Sequence, residues 1–147
     1  MRILVVNGPN LNTLGVRRPA IYGATSLGEI EERLTLRGHD LKVAVVCFQS
    51  NSEGEIIDFL QSQAAEAEGI IINPGALTHY SLALRDALSD TGLPIIEVHI
   101  SNIHAREEFR HHSVIAEIAM GQVSGLGWRG YMAALEAIVG MLKEEPA

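Results

Sequence analysis

What this chain of 147 residues lacks narrows the field first. It has one cysteine, Cys47, so an internal disulfide and a cysteine-based metal site are both excluded. Lys42 and Lys143 are its only lysines, and no Lys/Arg run occurs. Eighteen acidic against eleven basic residues leave a net charge of −7, a field that repels polyanions, so nucleic acid is not the expected partner. Long hydrophobic runs are missing: stretches such as Val43 to Phe48 fall far short of the ~18 residues a membrane span needs. No membrane partner is expected. The opening Met1 to Asn7 is apolar too briefly for a secretory signal and runs into Gly8-Pro9 without a small-residue cleavage site. The expected location is the cytoplasm. Also absent are the P-loop pattern and the G-x-S-x-G elbow, which removes the P-loop nucleotide and serine-hydrolase signatures.

What is present is ordinary globular material, 47% hydrophobic and 20% charged. The length suits one domain spanning 1–147, with no internal repeat, low-complexity segment or linker. The end, about 143–147, reads as a frayed tail.

Short runs rich in Val and Ile recur, each followed by a turn signal and a stretch of helical periodicity. The predicted strands are Ile3 to Val6, Lys42 to Phe48, Gly69 to Ile72, Pro94 to Val98 and a weaker Met120 to Val123. Thr25-Ser26 caps a predicted helix through about Leu36, with Gly38 as its stop. Ser52-Glu53-Gly54-Glu55 matches a capping box opening the next. Further helices are predicted over Tyr80 to Ser89, His104 to Arg110 and Gly130 to Lys143, and Met120, Met132 and Met141 read as core filling. Alternating βα units with continuous apolar strands predict a flavodoxin-like α/β fold: a five-stranded parallel sheet with helices on both faces.

Ligands of such sheets bind beyond the carboxyl ends of the strands, so the polar residues directly after each apolar run are candidates for chemistry. Asn7-Gly8-Pro9-Asn10, Asn73 through His79, and Glu97 through Asn102 occupy three such ends. Singly, each is an ordinary turn; together they aim amides, imidazoles and a carboxylate at one region. The segment after the first strand is too long for an ordinary βα connection. With Gly15 and Gly23 as hinges, about 11–24 reads as a flexible lid or as a surface excursion whose Tyr22 packs on the body. The lid reading draws strength from chemistry. A free tyrosine, with a pKa of ~10, is about three units, or roughly 4 kcal/mol, from acting as a base at neutral pH. One guanidinium at ~4 Å and an effective dielectric near 20 supplies ~4 kcal/mol, so Arg17 beside Tyr22 makes a usable phenolate.

Period-2 alternation sets Glu97 and His99 on one side of their strand. A carboxylate orients an imidazole and favours its charged form, as a general acid requires; a satisfied core histidine is the plainer alternative. His111-His112 point apart on a helix and lack His-Glu-x-x-His, and Glu107/His111 and Glu108/His112 read as surface pairs, so no metal site is predicted. Arg106 and Arg110, four apart, either hold an oxygen-rich ligand or form a solvated face. Asp86, next to Arg85, reads as a surface charge or a subunit contact.

These blocks together resemble the type II 3-dehydroquinate dehydratases. Asn7-Gly8-Pro9-Asn10-Leu11 with Leu14-Gly15, Arg17 and Pro19-Ala20-Ile21-Tyr22-Gly23 are similar to that family's opening signature. Phe48-Gln49-Ser50-Asn51 with Glu53-Gly54-Glu55, Asn73-Pro74-Gly75-Ala76 with Thr78-His79, and Ile96-Glu97-Val98-His99 with Arg106 to Arg110 continue it in order, and Gly125-Leu126-Gly127 and Gly130-Tyr131 extend it. The resemblance implies reversible dehydration of 3-dehydroquinate to 3-dehydroshikimate, a shikimate-pathway step, through an enolate and with no cofactor. It implies Tyr22 as the base at C2, Arg17 as the group that lowers its pKa, His99 as the acid for the departing C1 hydroxyl and Glu97 as its orienter. Asn10 would hold a water on the enolate oxygen. Asn73, Ile100 and Ser101 would bind the carboxylate, with His79 and Arg110 on the ring hydroxyls. Arg106 matches a lid-locking arginine, and Asp86 an acid reaching a neighbouring subunit's site in a homo-oligomer, typically a dodecamer of four trimers.

A Schiff-base route needs a buried lysine, and Lys42, at the wrong end of a strand, and Lys143, in the tail, do not offer one. One departure stands out: where the family usually has an acidic residue after the lid arginine, this chain has Arg18. Two other readings use the same residues, a flavodoxin-like binding module without catalysis and a paralogue that assembles without turnover. Conjugated-enone absorbance on adding 3-dehydroquinate separates the enzyme from both.

Overall fold

A computed structural model describes residues 1–144. Its strands are β1 (Arg2–Asn7), β2 (Ala44–Gln49), β3 (Gly69–Asn73), β4 (Ile95–His99) and β5 (Gly121–Ser124). Its α-helices are α1 (Pro19–Tyr22), α2 (Leu27–Asp40), α3 (Glu53–Gln63), α4 (Leu82–Asp90) and α5 (Arg129–Lys143). All strand pairings are parallel, in the order β2-β1-β3-β4-β5, so the five-stranded parallel sheet is as expected. Strand order reverses between β1 and β3, where Asn7 lies opposite Asn73.

Alternation along the strands splits the apolar residues between two layers. Ile3, Val5, Ile71 and Val98 pack with Ile30 and Leu34 of α2 and Leu135 and Ile138 of α5. Leu4, Val6, Ile70 and Ile72 pack on the other face with Ile56 and Leu60 of α3 and Leu84 and Leu88 of α4. Because both faces are covered, the central strands read as unbroken apolar runs.

Several boundaries differ from the sequence reading. Helix α2 passes through Gly38 instead of stopping there. A Cβ at Gly38 would lie 2.6 Å from Val45 Cγ2, so glycine serves close packing of helix on sheet, and the chain turns instead at Lys42, with φ of 61°. The predicted helix over 104–110 is replaced by two 3₁₀ turns, Ile103–Ala105 and Glu108–Arg110. Arg106 and Glu107 between them are extended, and the Arg106 carbonyl accepts from the His111 ring (2.8 Å) in place of a helical N–H. Glu107 accordingly pairs with Arg110, not with His111. Ser52 does cap α3, but Glu55 accepts from Ser50 Oγ, which in turn accepts from the Ser52 N–H, so the capping box closes through a third residue. Met120 and Met141 are exposed; of the three methionines read as core, Met132 packs on it. Lys143 is still helical and donates to the Leu41 carbonyl; the rest of the predicted tail after Glu144 lies outside the described residues.

Candidate active site

A cleft opens at the carboxyl ends of β1, β3 and β4, as the crevice rule requires. It is lined by Asn10, Arg17, Tyr22, Asn73, His79, His99, Ile100, Ser101, Arg106 and Arg110 among others. Ten of the twelve predicted site residues therefore meet in one cavity. Glu97 stands behind His99, fully buried. Asp86 is exposed on α4 and does not line this chain's own cleft.

The floor depends on close backbone contact. A Cβ at Gly8 would sit 2.4 Å from the Pro74 carbonyl oxygen, so only glycine lets the loops after β1 and β3 touch. Asn10 adopts the left-handed conformation (φ 71°), which asparagine tolerates better than most residues. Asn51 Oδ1 accepts its N–H at 2.9 Å, and Gln49 donates to both Asn51 and the Gly8 carbonyl. The end of β2 thus pins the loop after β1.

Residues 11–24 form a 3₁₀ turn (Leu11–Thr13) and the short α1, and bring Leu11, Arg17 and Tyr22 to the cleft lining. Arg18 caps α1 in the left-handed region, φ 41° and ψ 64°, directly before Pro19. Tyr22 is half-buried, with the Arg17 guanidinium carbon 4.8 Å and that of Arg106 5.3 Å from its ring centre. Burial alone would push the Tyr22 hydroxyl up, but hydrogen bonding and charge from Arg106, then charge and hydrogen bonding from Arg17, bring it below the ordinary tyrosine value. Arg106 outweighs the nearer Arg17; its side chain is 13% exposed, so water screens it little. Arg106 also bonds Ser101 Oγ through Nη1 (3.3 Å), while its Nη2 is buried without a partner among the described residues.

The second pole is the His99–Glu97 pair. His99 Nε2 meets Glu97 Oε2, Thr78 Oγ1 donates to the same oxygen at 2.7 Å, and Ser113 Oγ donates to Oε1 at 2.8 Å. Burial pushes the Glu97 carboxyl up, yet the hydrogen bond and charge of His99, followed by the two hydroxyls, hold it below the usual carboxylate range. An ionised Glu97 only accepts, so Nε2 of His99 carries hydrogen and Nδ1 is the ring nitrogen left for a ligand.

His79 is fixed likewise. The His112 carbonyl accepts from Nδ1 at 2.8 Å, which leaves Nε2 as an acceptor. Burial draws the His79 pKa down, with the His99 and Arg110 charges adding to it against the opposing His112 carbonyl and Glu97, so the ring is neutral near pH 7. Arg110 is oriented by Glu107 at 2.8 Å. Asn73 Oδ1 accepts from the Gly75 N–H (3.1 Å), and its Nδ2 donates to the buried Tyr131 hydroxyl (2.9 Å).

Thr78, Ser113 and Tyr131 were missed as contributors. A tyrosine inside an apolar helical stripe needs a partner for its hydroxyl, and that was the one available signal. Nothing local to Ser113 marks it. No group of three or more metal-ligating side chains occurs among the described residues.

The fold and this cleft define an α/β protein with a phenol and a carboxylate-backed imidazole in one cleft at the strand ends. The family described as Dehydroquinase class II matches residues 1–139, and the chain belongs to it. It is 58% identical to the 3-dehydroquinate dehydratase of Halothermothrix orenii over 143 residues, covering 97% of each chain. It is 56% identical to that of Roseiflexus castenholzii, over 99% of this chain and 93% of the relative. The crystal structure of type II dehydroquinase from Propionibacterium acnes superposes with a TM-score of 0.91 at 45% identity, covering 95% of this chain and 96% of that one.

Proposed function

We propose that this chain is a 3-dehydroquinate dehydratase, a hydro-lyase that converts 3-dehydroquinate to 3-dehydroshikimate and water by anti elimination through an enolate. The observation that carries the mechanism is a phenol with two guanidinium groups over its ring, in the same cleft as a carboxylate-backed imidazole.

Tyr22, as phenolate, takes the C2 proton, and the electron pair moves onto the C3 carbonyl oxygen. A water held by Asn10 stabilises that oxygen. The enolate then collapses, the C1–O bond breaks, and His99 gives the departing hydroxyl its proton from Nδ1, with Glu97 as counter-charge. Asn73 and the backbone at Ile100 and Ser101 bind the carboxylate. The neutral Nε2 of His79 accepts from a ring hydroxyl, and Arg110 donates to another. The Arg106 Nη2 with no protein partner suits a ligand oxygen or the tyrosinate when the lid, about 11–24, is closed. Every proton transfer is served by the chain's own groups, so the route calls for no cofactor.

The reading extends to one domain over 1–147, a cytoplasmic location and a homo-oligomer, with a dodecamer of four trimers as the expected form and Asp86 reaching a neighbour's cleft. Asp86 is exposed beside Leu82 and Tyr80, which are 62% and 65% exposed, an apolar surface suited to a subunit contact. No described helix is long and apolar enough to cross a membrane.

Adding 3-dehydroquinate should produce conjugated-enone absorbance, and Tyr22→Phe should abolish it together with exchange of the C2 proton in deuterated water. Near-normal turnover by that variant would remove Tyr22 as the base. Wild-type binding without enone or exchange would favour the non-catalytic binding module.

A further inference from the structure

Asn73, only 3% exposed, ends β3 at the point where strand order reverses, opposite Asn7 of β1. The orientation of its amide follows from one backbone group. The Gly75 N–H lies 3.1 Å from Oδ1, and a backbone N–H can only donate, so that atom is the oxygen. The amide nitrogen must then face the Tyr131 hydroxyl, at 2.9 Å. Having accepted there, the hydroxyl places its own proton elsewhere, and Asn7 Oδ1 takes it at 2.6 Å. Donation runs one way along buried groups, from Asn73 to Tyr131 to Asn7. Turning Asn7 over would aim its N–H at the same hydroxyl and strand the phenolic proton. Turning Asn73 over would set its NH₂ against the Gly75 N–H. One Asn73 N–H is spent on Tyr131, and the other is left for the cleft that Asn73 lines.

We propose that Tyr131 is a positioning residue whose hydroxyl fixes the Asn73 amide, so that one N–H is held ready for the carboxylate of the substrate. The inference rests on the proposed reading of Asn73 as a carboxylate ligand. Tyr131 is fully buried on α5 and has no contact with the cleft, so it acts on binding only through Asn73. Without its hydroxyl the Asn73 N–H has no acceptor, and the amide loses one of the two bonds that hold it.

Steady-state kinetics on the full chain with 3-dehydroquinate test this. Asn73→Ala should raise KM tenfold or more. Tyr131→Phe, which keeps the ring, should raise KM about tenfold, the loss expected for a hydrogen bond to a charged group, with kcat within about twofold of wild type. Because Tyr131 acts through Asn73, the double variant should be no worse than Asn73→Ala. Asn7→Ala should move KM in the same direction by less, and it carries the test if Tyr131→Phe proves unfolded by circular dichroism. A wild-type KM in Tyr131→Phe, or in Asn7→Ala standing in for it, beside a raised KM in Asn73→Ala would overturn the inference alone. Additive effects in the double variant would do the same. An unchanged KM in Asn73→Ala would overturn the carboxylate reading, and the inference with it.

Discussion

If Tyr22 is the base, the rising limb of the pH profile belongs to its hydroxyl, and the two arginines set where that limb falls. Their guanidinium carbons lie 4.8 Å and 5.3 Å from the ring centre. At about 5 Å and an effective dielectric near 20, a cation is worth about 3 kcal/mol to a phenolate. Tyr22 is half-open to water, and screening cuts this to about 1.5 kcal/mol, close to one pH unit for each arginine. The base works only when deprotonated, so removing a cation raises its pKa and moves the rising limb to higher pH. Arg106→Gln should move it upward by about one unit, Arg17→Gln by no more than that, and the double variant by about two units. Activity lost at pH 7 should return in part in alkaline buffer. Ultraviolet difference titration of tyrosinate, with Tyr22→Phe subtracted, reads the same pKa without turnover; Tyr131, pushed up by burial, stays protonated across the range. If Arg106→Gln lowered kcat/KM equally at every pH and left the tyrosinate titration unmoved, the electrostatic account of Tyr22 would be wrong.

Two further predictions concern the other pole and the lid. Thr78→Val removes the 2.7 Å hydroxyl bond to the buried Glu97 with little change of shape, and should destabilise the fold by about 1.5–3 kcal/mol at neutral pH. Glu97 titrates below its unfolded value, so this contribution is full above about pH 4.3 and is lost as pH falls through the lower folded pKa; denaturant melts giving the same difference at neutral and strongly acid pH would contradict it. Arg18 stands in a strained left-handed conformation four residues before Tyr22, and if 11–24 is a lid, Arg18→Glu should change kcat or KM; unchanged values of both would show that this residue plays no part in closure.

The strands were legible because a sheet covered on both faces demands unbroken Val and Ile runs, and β1 and β3 carry them in plain sight. Site residues at strand ends were legible for a related reason: topology alone sends Asn73, His79 and His99 to one crevice. Errors arose where tertiary contact overrode a local signal. Gly38 looks like a helix stop, yet the space beside Val45 is what requires it. The spacing of Arg106 and Arg110 suggests a helix face, but the His111 ring takes the Arg106 carbonyl and breaks the turn there, and both arginines still enter the cleft from irregular backbone. The hydroxyls around Glu97 were illegible because Ser113 lies 16 residues away along the chain, in a segment with no period to read. The sequence points to Arg17 alone as acting on Tyr22, whereas Arg106, with a side chain only 13% exposed, acts more strongly.

Three polar atoms in this cleft are defined by what holds the opposite side of each group. The His112 carbonyl takes Nδ1 of His79 and leaves Nε2 to accept. The Glu97 carboxylate takes Nε2 of His99 and leaves Nδ1 to donate when charged. The Gly75 N–H takes Oδ1 of Asn73 and leaves an amide N–H to donate. In each case the partner cannot change sign, since a carbonyl and an ionised carboxylate only accept and a backbone N–H only donates. Which atom of each group is left free is therefore fixed beforehand, while Nδ1 of His99 donates when the ring is charged and accepts when it is neutral. Tyr22 differs in kind, its hydroxyl being governed by hydrogen bonding and charge from two guanidinium groups. A guanidinium also only donates, so the same logic favours the deprotonated hydroxyl that a base requires.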